Sequence, residues 1–281
     1  MKLAAAALCA VLVGVMPSRG LAQASPGRVV WHDLVTPDLE ISKVFYTELF
    51  GWTWRAPSSG KGVTYVVGEM TGAAMAGLAE SADGKKNPWQ WITYFAVSDV
   101  KRSAKEADDS GAKVVVKPTT TGSWHDESAL LTDPQGAAFA LMKRGAEPND
   151  SATRPANDWL WVELWTVNVD SAAAFYGRVL GYTRKPVKVA GKAYTLFLRD
   201  TTPTAGMLEI PVKDVQPNWL PTIRVTDVHA TVAKAVALGG RVIMAPRDDV
   251  RNATVAIIAD PTGAALTVQQ WNGTASVAGA K

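Results

Sequence analysis

The stretch WHDLVTPDL (residues 31–39), completed by Phe-Tyr and Leu-Phe-Gly-Trp within residues 45–52, decides the fold because the chain repeats it. The pattern returns 130 residues later as WVELWTVNV (residues 161–169), again followed by Phe-Tyr and then by Val-Leu-Gly-Tyr within residues 175–182. Self-similarity at a fixed spacing indicates a repeated structural unit. The two stretches therefore mark corresponding points of two copies.

A second pair of segments matches in the same order. Phe95-Ala-Val-Ser-Asp-Val100 precedes the turn sequence Asp133-Pro-Gln-Gly136, and Ile223-Arg-Val-Thr-Asp-Val228 precedes Asp260-Pro-Thr-Gly263. Two sets of matches in one order indicate a tandem duplication. The polar stretch at 146–158, with Pro and no hydrophobic period, is typical of a linker between the copies.

Each copy contains two smaller units with the same local pattern. In the first unit an alternating strand at Val30–Thr36 is followed by a helix at Leu39–Phe50, which Gly51 should end. The predicted helix N-caps are Asp38, Asp99, Asn168 and Asp227. The predicted strands after the first two helices are Trp52–Ala56, Thr64–Glu69, Ala74–Ala79, Lys113–Lys117, Ala129–Thr132 and Ala138–Lys143. The order strand-helix-strand-strand-strand is expected four times, which is an α+β pattern.

The first 24 residues are predicted to be a secretory signal peptide. Lys2 precedes an apolar run, and Ala22-Gln23-Ala24 is a small-x-small cleavage site, so we expect cleavage after Ala24. The only cysteine, Cys9, lies in this segment, and the mature protein would then contain neither a disulfide nor a thiolate. We therefore expect a periplasmic or secreted bacterial protein.

Composition excludes several classes of function. The 281 residues are 47% hydrophobic and 20% charged, with a net charge of +3 and no Lys/Arg run. This is typical of a globular protein and gives no electrostatic basis for binding nucleic acid. No later segment is apolar for the roughly 20 residues that a membrane span needs. We expect a small-molecule ligand and, because both pairs of units lie in one chain, a monomer.

Aspartate-started helices with Phe-Tyr, followed by Asp-Pro-x-Gly before a last strand, resemble the vicinal oxygen chelate superfamily of glyoxalases, bleomycin-resistance proteins and extradiol dioxygenases. The resemblance implies two glyoxalase-like domains, each made of two βαβββ modules that form a curved mixed sheet around a hollow. The expected layout is a signal peptide at 1–24, domain 1 at 28–145, a linker at 146–158, domain 2 at 159–272 and a flexible tail at 273–281. Each domain would hold its binding site in its hollow.

The resemblance also implies a divalent metal held by His, Gln and Glu at fixed strand positions. Aligned on the helix starts and the Asp-Pro-x-Gly turns, those positions are Trp31, Ala76, Ile92, Ala140, Trp161, Ala205, Leu220 and Thr267. None is a good metal ligand, so we expect no resident metal.

An alternative keeps the metal. A bulge could turn His32 into the first hollow, where His125 and Asp126 or Glu127 could complete a His/His/carboxylate set. The chain would then be a metal-dependent lyase, isomerase or dioxygenase of the glyoxalase or dioxygenase type.

Without a metal, the strand alternation still predicts polar groups in both hollows. Trp31 and Asp33 share one face in the first copy, with Tyr94 opposite, and Trp124 and His125 lie on a nearby loop. The equivalent set in the second copy is Trp161, Glu163, Trp165 and Thr222. Apolar concavities with a few polar groups are typical of small-molecule sites.

Asp33 and Glu163 are the candidates for acid-base catalysis in those hollows. A buried carboxyl group can have a raised pKa, although the same carboxylates could simply hydrogen-bond to neighbours and fix the sheet. The favoured hypothesis is an exported, metal-free binding protein similar to the bleomycin-resistance proteins. The first hollow is favoured as the working one.

Overall fold

The computed structural model describes residues 26–55, 65–81, 90–121, 126–144, 155–211 and 215–272. Within these ranges the helices are α1 Leu39–Phe50, α2 Val100–Asp109, α3 Val169–Leu180 and α4 Val228–Ala237. The strands of the first half are β1 Val29–Thr36, β2 Thr53–Arg55, β3 Tyr65–Met70, β4 Ala73–Glu80, β5 Gln90–Ala96, β6 Lys113–Thr121, β7 Asp126–Thr132 and β8 Ala138–Lys143. Those of the second half are β9 Trp159–Thr166, β10 Thr183–Val189, β11 Lys192–Arg199, β12 Thr202–Glu209, β13 Asn218–Val225, β14 Arg241–Met244, β15 Val255–Ala259 and β16 Ala265–Gln270.

The strands form two mixed sheets of eight, one in each half of the chain. The first has the order β2-β3-β4-β1-β5-β8-β7-β6, and the second repeats it as β10-β11-β12-β9-β13-β16-β15-β14. The first strand of each module pairs parallel with the fourth, and the two modules meet where β1 runs antiparallel to β5 and β9 to β13. The predicted α+β fold with four strand-helix-strand-strand-strand modules is confirmed.

The helix ends lie where the sequence predicts them because capping is a local interaction. Asp38 accepts a hydrogen bond from the backbone N–H of Ile41 at 2.9 Å, and the N-cap residues of α2, α3 and α4 do the same. Gly51 ends α1 with φ of +77°, a left-handed conformation that costs glycine little. Strand ends agree less well. β6 runs to Thr121 and β7 begins at Asp126, so this hairpin is longer than predicted.

The two halves pack through the helix-bearing faces of their sheets. One core joins the first module to the fourth, with Leu34 and Phe45 beside Ile223 and Leu266. A second core joins the second module to the third in the same manner. The helices therefore lie between the sheets. The opposite face of each sheet remains available for a site.

A reciprocal pair of buried tyrosines links the halves. The Tyr46 hydroxyl donates to Asp260 Oδ2 at 3.1 Å, and the Tyr176 hydroxyl donates to Asp133 Oδ2 at 3.0 Å. Each aspartate begins the Asp-Pro-x-Gly turn of the other half, and its Oδ1 accepts backbone N–H groups of that turn. We call these two contacts the Tyr–Asp links. The Phe-Tyr and Asp-Pro repeats thus serve the joint between the copies.

A tryptophan donates a hydrogen bond to the tyrosine of each link. Trp91 Nε1 donates to the Tyr46 hydroxyl at 3.2 Å, and Trp219 Nε1 donates to the Tyr176 hydroxyl at 2.9 Å. Trp52 and Trp159 pack edge-on against Trp91, so these rings belong to the core that joins the halves. Among the described residues, no helix is long and apolar enough to cross a membrane.

Candidate functional site: two aromatic hollows

The residues of β1 alternate between the helix-bearing face and the opposite face of the first sheet. Leu34 belongs to the core against the helices. Val35 packs on the opposite face against an apolar cluster formed by Ile92, Ala138, Ala140, Tyr94 and Leu130. We call the space over this cluster hollow 1. The register Trp31 opposite Tyr94 and Asp33 opposite Ile92 places Trp31 and Asp33 on the same face.

Asp33 is the centre of a hydrogen-bond network in hollow 1. Its Oδ1 accepts Trp31 Nε1 at 2.7 Å and the Tyr65 hydroxyl at 2.8 Å, and its Oδ2 accepts the Tyr94 hydroxyl at 2.5 Å. The Arg144 guanidinium lies over the Trp31 ring at 4.9 Å from its centroid. Three aromatic side chains from three strands thus fix one carboxylate.

The electrostatics of this cluster follow from burial. Burial raises the pKa of Asp33, while the hydrogen bonds from Tyr94, Tyr65 and Trp31 and the charge of Arg144 act in the opposite direction. Burial and the neighbouring carboxylate raise the pKa of Tyr65 and of Tyr94. The tyrosines therefore stay protonated at neutral pH and act as donors.

A glycine on the intervening strand makes the network possible. Tyr65 lies on β3 and Asp33 on β1, and they meet over Gly77 of β4. A Cβ on Gly77 would lie 1.9 Å from the Tyr65 hydroxyl and 2.1 Å from Asp33 Oδ1. Only glycine leaves this space open, so Gly77 is part of the site.

The second sheet repeats the arrangement, and we call its space hollow 2. The Tyr194 hydroxyl donates to Glu163 Oε1 at 2.8 Å and accepts Trp161 Nε1 at 3.0 Å. A Cβ on Gly206 would lie 1.6 Å from that hydroxyl. The cluster of tryptophan, tyrosine, carboxylate and glycine is therefore duplicated with the fold.

In hollow 2 the carboxylate forms a buried ion pair with an arginine. Arg251 donates through Nη2 to Glu163 Oε1 and through Nη1 to Gln269 Oε1, the latter at 3.0 Å. Its ion pair with Glu163 is buried, with about a tenth of each side chain exposed. Glu163 thus contacts Tyr194, which lies on β11. It also contacts Arg251, which lies in the loop before β15. Because β11 and β15 lie on opposite sides of β9, the second sheet must curve around Glu163.

An unusual backbone carries Arg251. Arg251, Asn252 and Ala253 have φ of +48°, +51° and +55°, so three consecutive non-glycine residues form a left-handed turn. Such conformations are costly and persist only where surrounding contacts impose them. The Thr254 hydroxyl donates to the Arg251 carbonyl at 2.6 Å, and the ion pair with Glu163 is a further contact of this kind.

The side chains that line the two hollows also differ in size. Val35 of hollow 1 is replaced by Trp165 in hollow 2, and Ala140 is replaced by Thr267. Trp165 packs there with Leu220 and Ile257 and is only 6% exposed. At these two positions hollow 1 has the smaller side chains, whereas Tyr94 of hollow 1 corresponds to the smaller Thr222 of hollow 2.

Two residues of the metal alternative, His32 and Glu127, have side chains that the structure describes, and these two do not come together. His32 lies on the opposite face of β1 from Asp33, 3% exposed, with its ring 4.2 Å from that of Trp159. Burial lowers its pKa to about 3. Glu127 lies 3.8 Å from the Lys101 ammonium of α2, on the helix side. Trp124, His125 and the side chain of Asp126 lie outside the described residues.

The irregularity in the β1–β5 pairing falls between Val29 and Trp31, before His32, so it does not turn His32 into hollow 1. Within the described ranges, no group of three or more His, Cys, Asp or Glu side chains comes together. The positions that the resemblance predicts for the metal ligands hold Ala, Ile, Leu, Trp and Thr. The described donors therefore do not fit the divalent metal of the superfamily.

Paired βαβββ modules around an aromatic hollow define a glyoxalase-like, two-domain protein. Sequence comparison agrees: residues 27–141 match the Glyoxalase/Bleomycin resistance protein/Dioxygenase superfamily and residues 161–269 match a glyoxalase-like domain. The chain belongs to this superfamily.

Two relatives align with both halves of the chain. A Mycobacterium tuberculosis protein named as a glyoxylase, CFP32, is 33% identical over 257 residues, covering 90% of this chain and 97% of the relative. The anthracycline biosynthesis protein DnrV of Streptomyces peucetius is 31% identical over 258 residues, covering 87% and 93%.

Solved structures share the fold at low identity. The 2,2',3-trihydroxybiphenyl 1,2-dioxygenase of Sphingomonas wittichii has a TM-score of 0.57 at 14% identity, covering 88% of this chain and 91% of that one. A Mn(II)-bound glyoxalase from Novosphingobium aromaticivorans has a TM-score of 0.55 at 14% identity, covering 88% and 82%.

Sequence reasoning missed Tyr65, Gly77, Arg251 and the second-copy partners Tyr194 and Gly206. A signal for two of them exists, because Ala76-Gly77-Leu78 recurs as Ala205-Gly206-Met207. Arg251 has no such signal, since the position that corresponds to it in the first copy is Trp124.

Proposed function

We propose that this chain binds a small organic molecule in hollow 1, as a binding protein of its superfamily. The observation that carries the proposal is the half-buried Asp33 carboxylate at the base of an aromatic cluster. Oδ1 accepts two hydrogen bonds and Oδ2 accepts one. Because a carboxylate offers about four acceptor positions, Oδ2 has capacity for one more donor.

The ligand we propose is aromatic and carries a hydroxyl or amine donor. The Trp31 and Tyr94 rings and the apolar cluster around Ile92 supply flat walls, and Asp33 supplies the acceptor. The similarity to DnrV, which is named for anthracycline biosynthesis, supports a polycyclic aromatic ligand. Ala138 and Ala140 contribute small apolar side chains to this face of the sheet.

We propose further that binding needs no divalent metal. Support comes from the donor set, since Trp31, Ala76, Ile92 and Ala140 stand where the superfamily's ligands would. The alternative, a metal-dependent enzyme that uses His32 and His125, receives no support from the position of His32. Asp33 is the group that we propose for acid-base work if a reaction takes place, because burial raises its pKa.

The test combines metal content with ligand binding. Tag-free mature protein is analysed by mass spectrometry for metals, before and after incubation with Zn, Mn, Ni and Fe. Metal-free protein is then titrated calorimetrically with daunomycinone and other hydroxylated polycyclic aromatics. We expect substoichiometric metal and saturable binding that Asp33→Asn weakens about tenfold or more.

Glu163→Gln is the matched control, because it neutralises the equivalent carboxylate in hollow 2. Equal losses in both variants would contradict the assignment to hollow 1. A stoichiometric metal whose removal abolishes binding would replace this proposal by the enzyme alternative.

We also propose that the protein is exported and acts as a monomer. The apolar run and the Ala22-Gln23-Ala24 site support export. Amino-terminal sequencing of protein from the periplasm should begin at Ser25, and light scattering should give the mass of one chain. A start at Met1 in that fraction would contradict cleavage.

A further inference from the structure

We propose that hollow 2 is a second binding site, for a neutral aromatic carboxamide rather than for the ligand of hollow 1. Unsatisfied hydrogen-bonding groups carry the inference. Within the described part of the chain, Trp165 Nε1 and Thr222 Oγ1 are buried without a hydrogen-bond partner, and so is Asn218 Oδ1. Trp165 is 6% exposed and Thr222 is fully buried. A buried polar atom without a partner costs free energy, which a bound ligand can recover.

The strand register places these groups on the face of hollow 2. Trp165 lies directly opposite Asn218, Glu163 opposite Leu220, and Trp161 opposite Thr222. Directly opposed residues of an antiparallel pair share a face. Trp165 and Asn218 therefore mark one end of the hollow. Thr222 lies four residues along β13 from Asn218, about 13 Å away.

The pair at that end specifies a chemical group. An indole N–H can only donate, and the free atom of Asn218 is the acceptor, because its Nδ2 donates to the Gln216 carbonyl at 2.8 Å. A donor and an acceptor on neighbouring strands are complementary to a group that accepts and donates side by side. A carboxamide or a lactam does so through its C=O and N–H.

The surrounding residues specify the rest of the ligand. Trp165 packs with the apolar side chains of Leu220 and Ile257, and half-buried Val215 and Met244 lie beside them. These are walls for an aromatic or aliphatic ring. The charge of Glu163 is already paired with Arg251. Hollow 2 is therefore electrically balanced and favours a neutral ligand.

The experiment uses benzamide as the probe and the tryptophan indole N–H resonances as the readout. Full-length mature protein is labelled with ¹⁵N at the indole nitrogens, and Trp165→Phe assigns the resonance. Benzamide should shift the Trp165 resonance saturably. Methyl benzoate, which lacks the N–H, should bind at least tenfold more weakly because the Asn218 acceptor stays unpaired.

Two variants separate this site from the first. Asn218→Ala should weaken benzamide binding about tenfold, whereas Asp33→Asn in hollow 1 should leave it unchanged. Absence of a saturable shift up to the solubility limit would overturn the proposal. Equal binding of methyl benzoate, or unchanged affinity in Asn218→Ala, would overturn it as well. None of these outcomes depends on a ligand for hollow 1.

Discussion

Replacing Tyr46 by Phe should destabilise the whole molecule, because it removes one Tyr–Asp link while keeping the ring. The hydroxyl makes two buried hydrogen bonds, donating to Asp260 at 3.1 Å and accepting Trp91 Nε1 at 3.2 Å. Both partners would remain buried, and each unsatisfied group costs about 1–3 kcal/mol. The expected loss is roughly 3 kcal/mol of unfolding free energy, or about 6–12 °C in Tm.

Urea unfolding followed by circular dichroism measures the loss. Tyr176→Phe removes the other link and should cost a similar amount. Because the links share no partner, the double variant should lose the sum, roughly 6 kcal/mol. Thr53→Val is the matched control, since it removes a hydroxyl whose 3.3 Å bond to Glu69 is exposed and should change stability by under about 0.5 kcal/mol. A loss below about 1 kcal/mol in Tyr46→Phe would refute the reasoning.

Three further predictions concern pH and the hollows. Burial lowers the pKa of His32 to about 3, so below pH 6.5 the unfolded chain binds a proton that the folded chain does not. As the pH falls from 6.5 to 5, the wild-type protein should lose about 2 kcal/mol of unfolding free energy. In denaturant titrations, His32→Gln should lack that part of the pH dependence. Burial raises the pKa of Asp33, so its contribution has the opposite sign: the unfolding free energy should fall as pH rises above about 4. Asp33→Asn should lack this dependence. If its stability-versus-pH profile equals that of the wild type, the hydrogen bonds and Arg144 offset the effect of burial. Gly77→Ala should displace Tyr65, cost about 1–3 kcal/mol in thermal unfolding and weaken binding in hollow 1, whereas Gly206→Ala should spare that binding.

Local signals predicted the parts of the fold that depend on neighbouring residues. The N-caps are right at all four helices because a cap joins residues three apart, as in Asp38 and Ile41. Alternation along β1 also predicted which side chains share a face, so Trp31 and Asp33 lie together as expected. These features need no knowledge of distant partners.

Long-range pairing explains what the sequence did not reveal. Tyr65 reaches Asp33 only because β4, with Gly77, lies between their strands, and the order of strands is not a local property. Tyr46 and Asp260 are 214 residues apart, and nothing near either one indicates the other. Arg251 enters hollow 2 through a left-handed turn that, of its three residues, only Asn252 favours.

The Tyr–Asp links have a consequence for the ancestry and engineering of the chain. Each half supplies the tyrosine for the other half's aspartate, so two copies of a single half could have satisfied each other before the gene doubled. The same logic predicts split-protein complementation: fragments covering residues 26–144 and 155–272 should be poorly folded apart and reassemble when co-expressed. The molecule then behaves as a covalently tethered dimer, in which fusion freed one half to change its chemistry while the other kept its own.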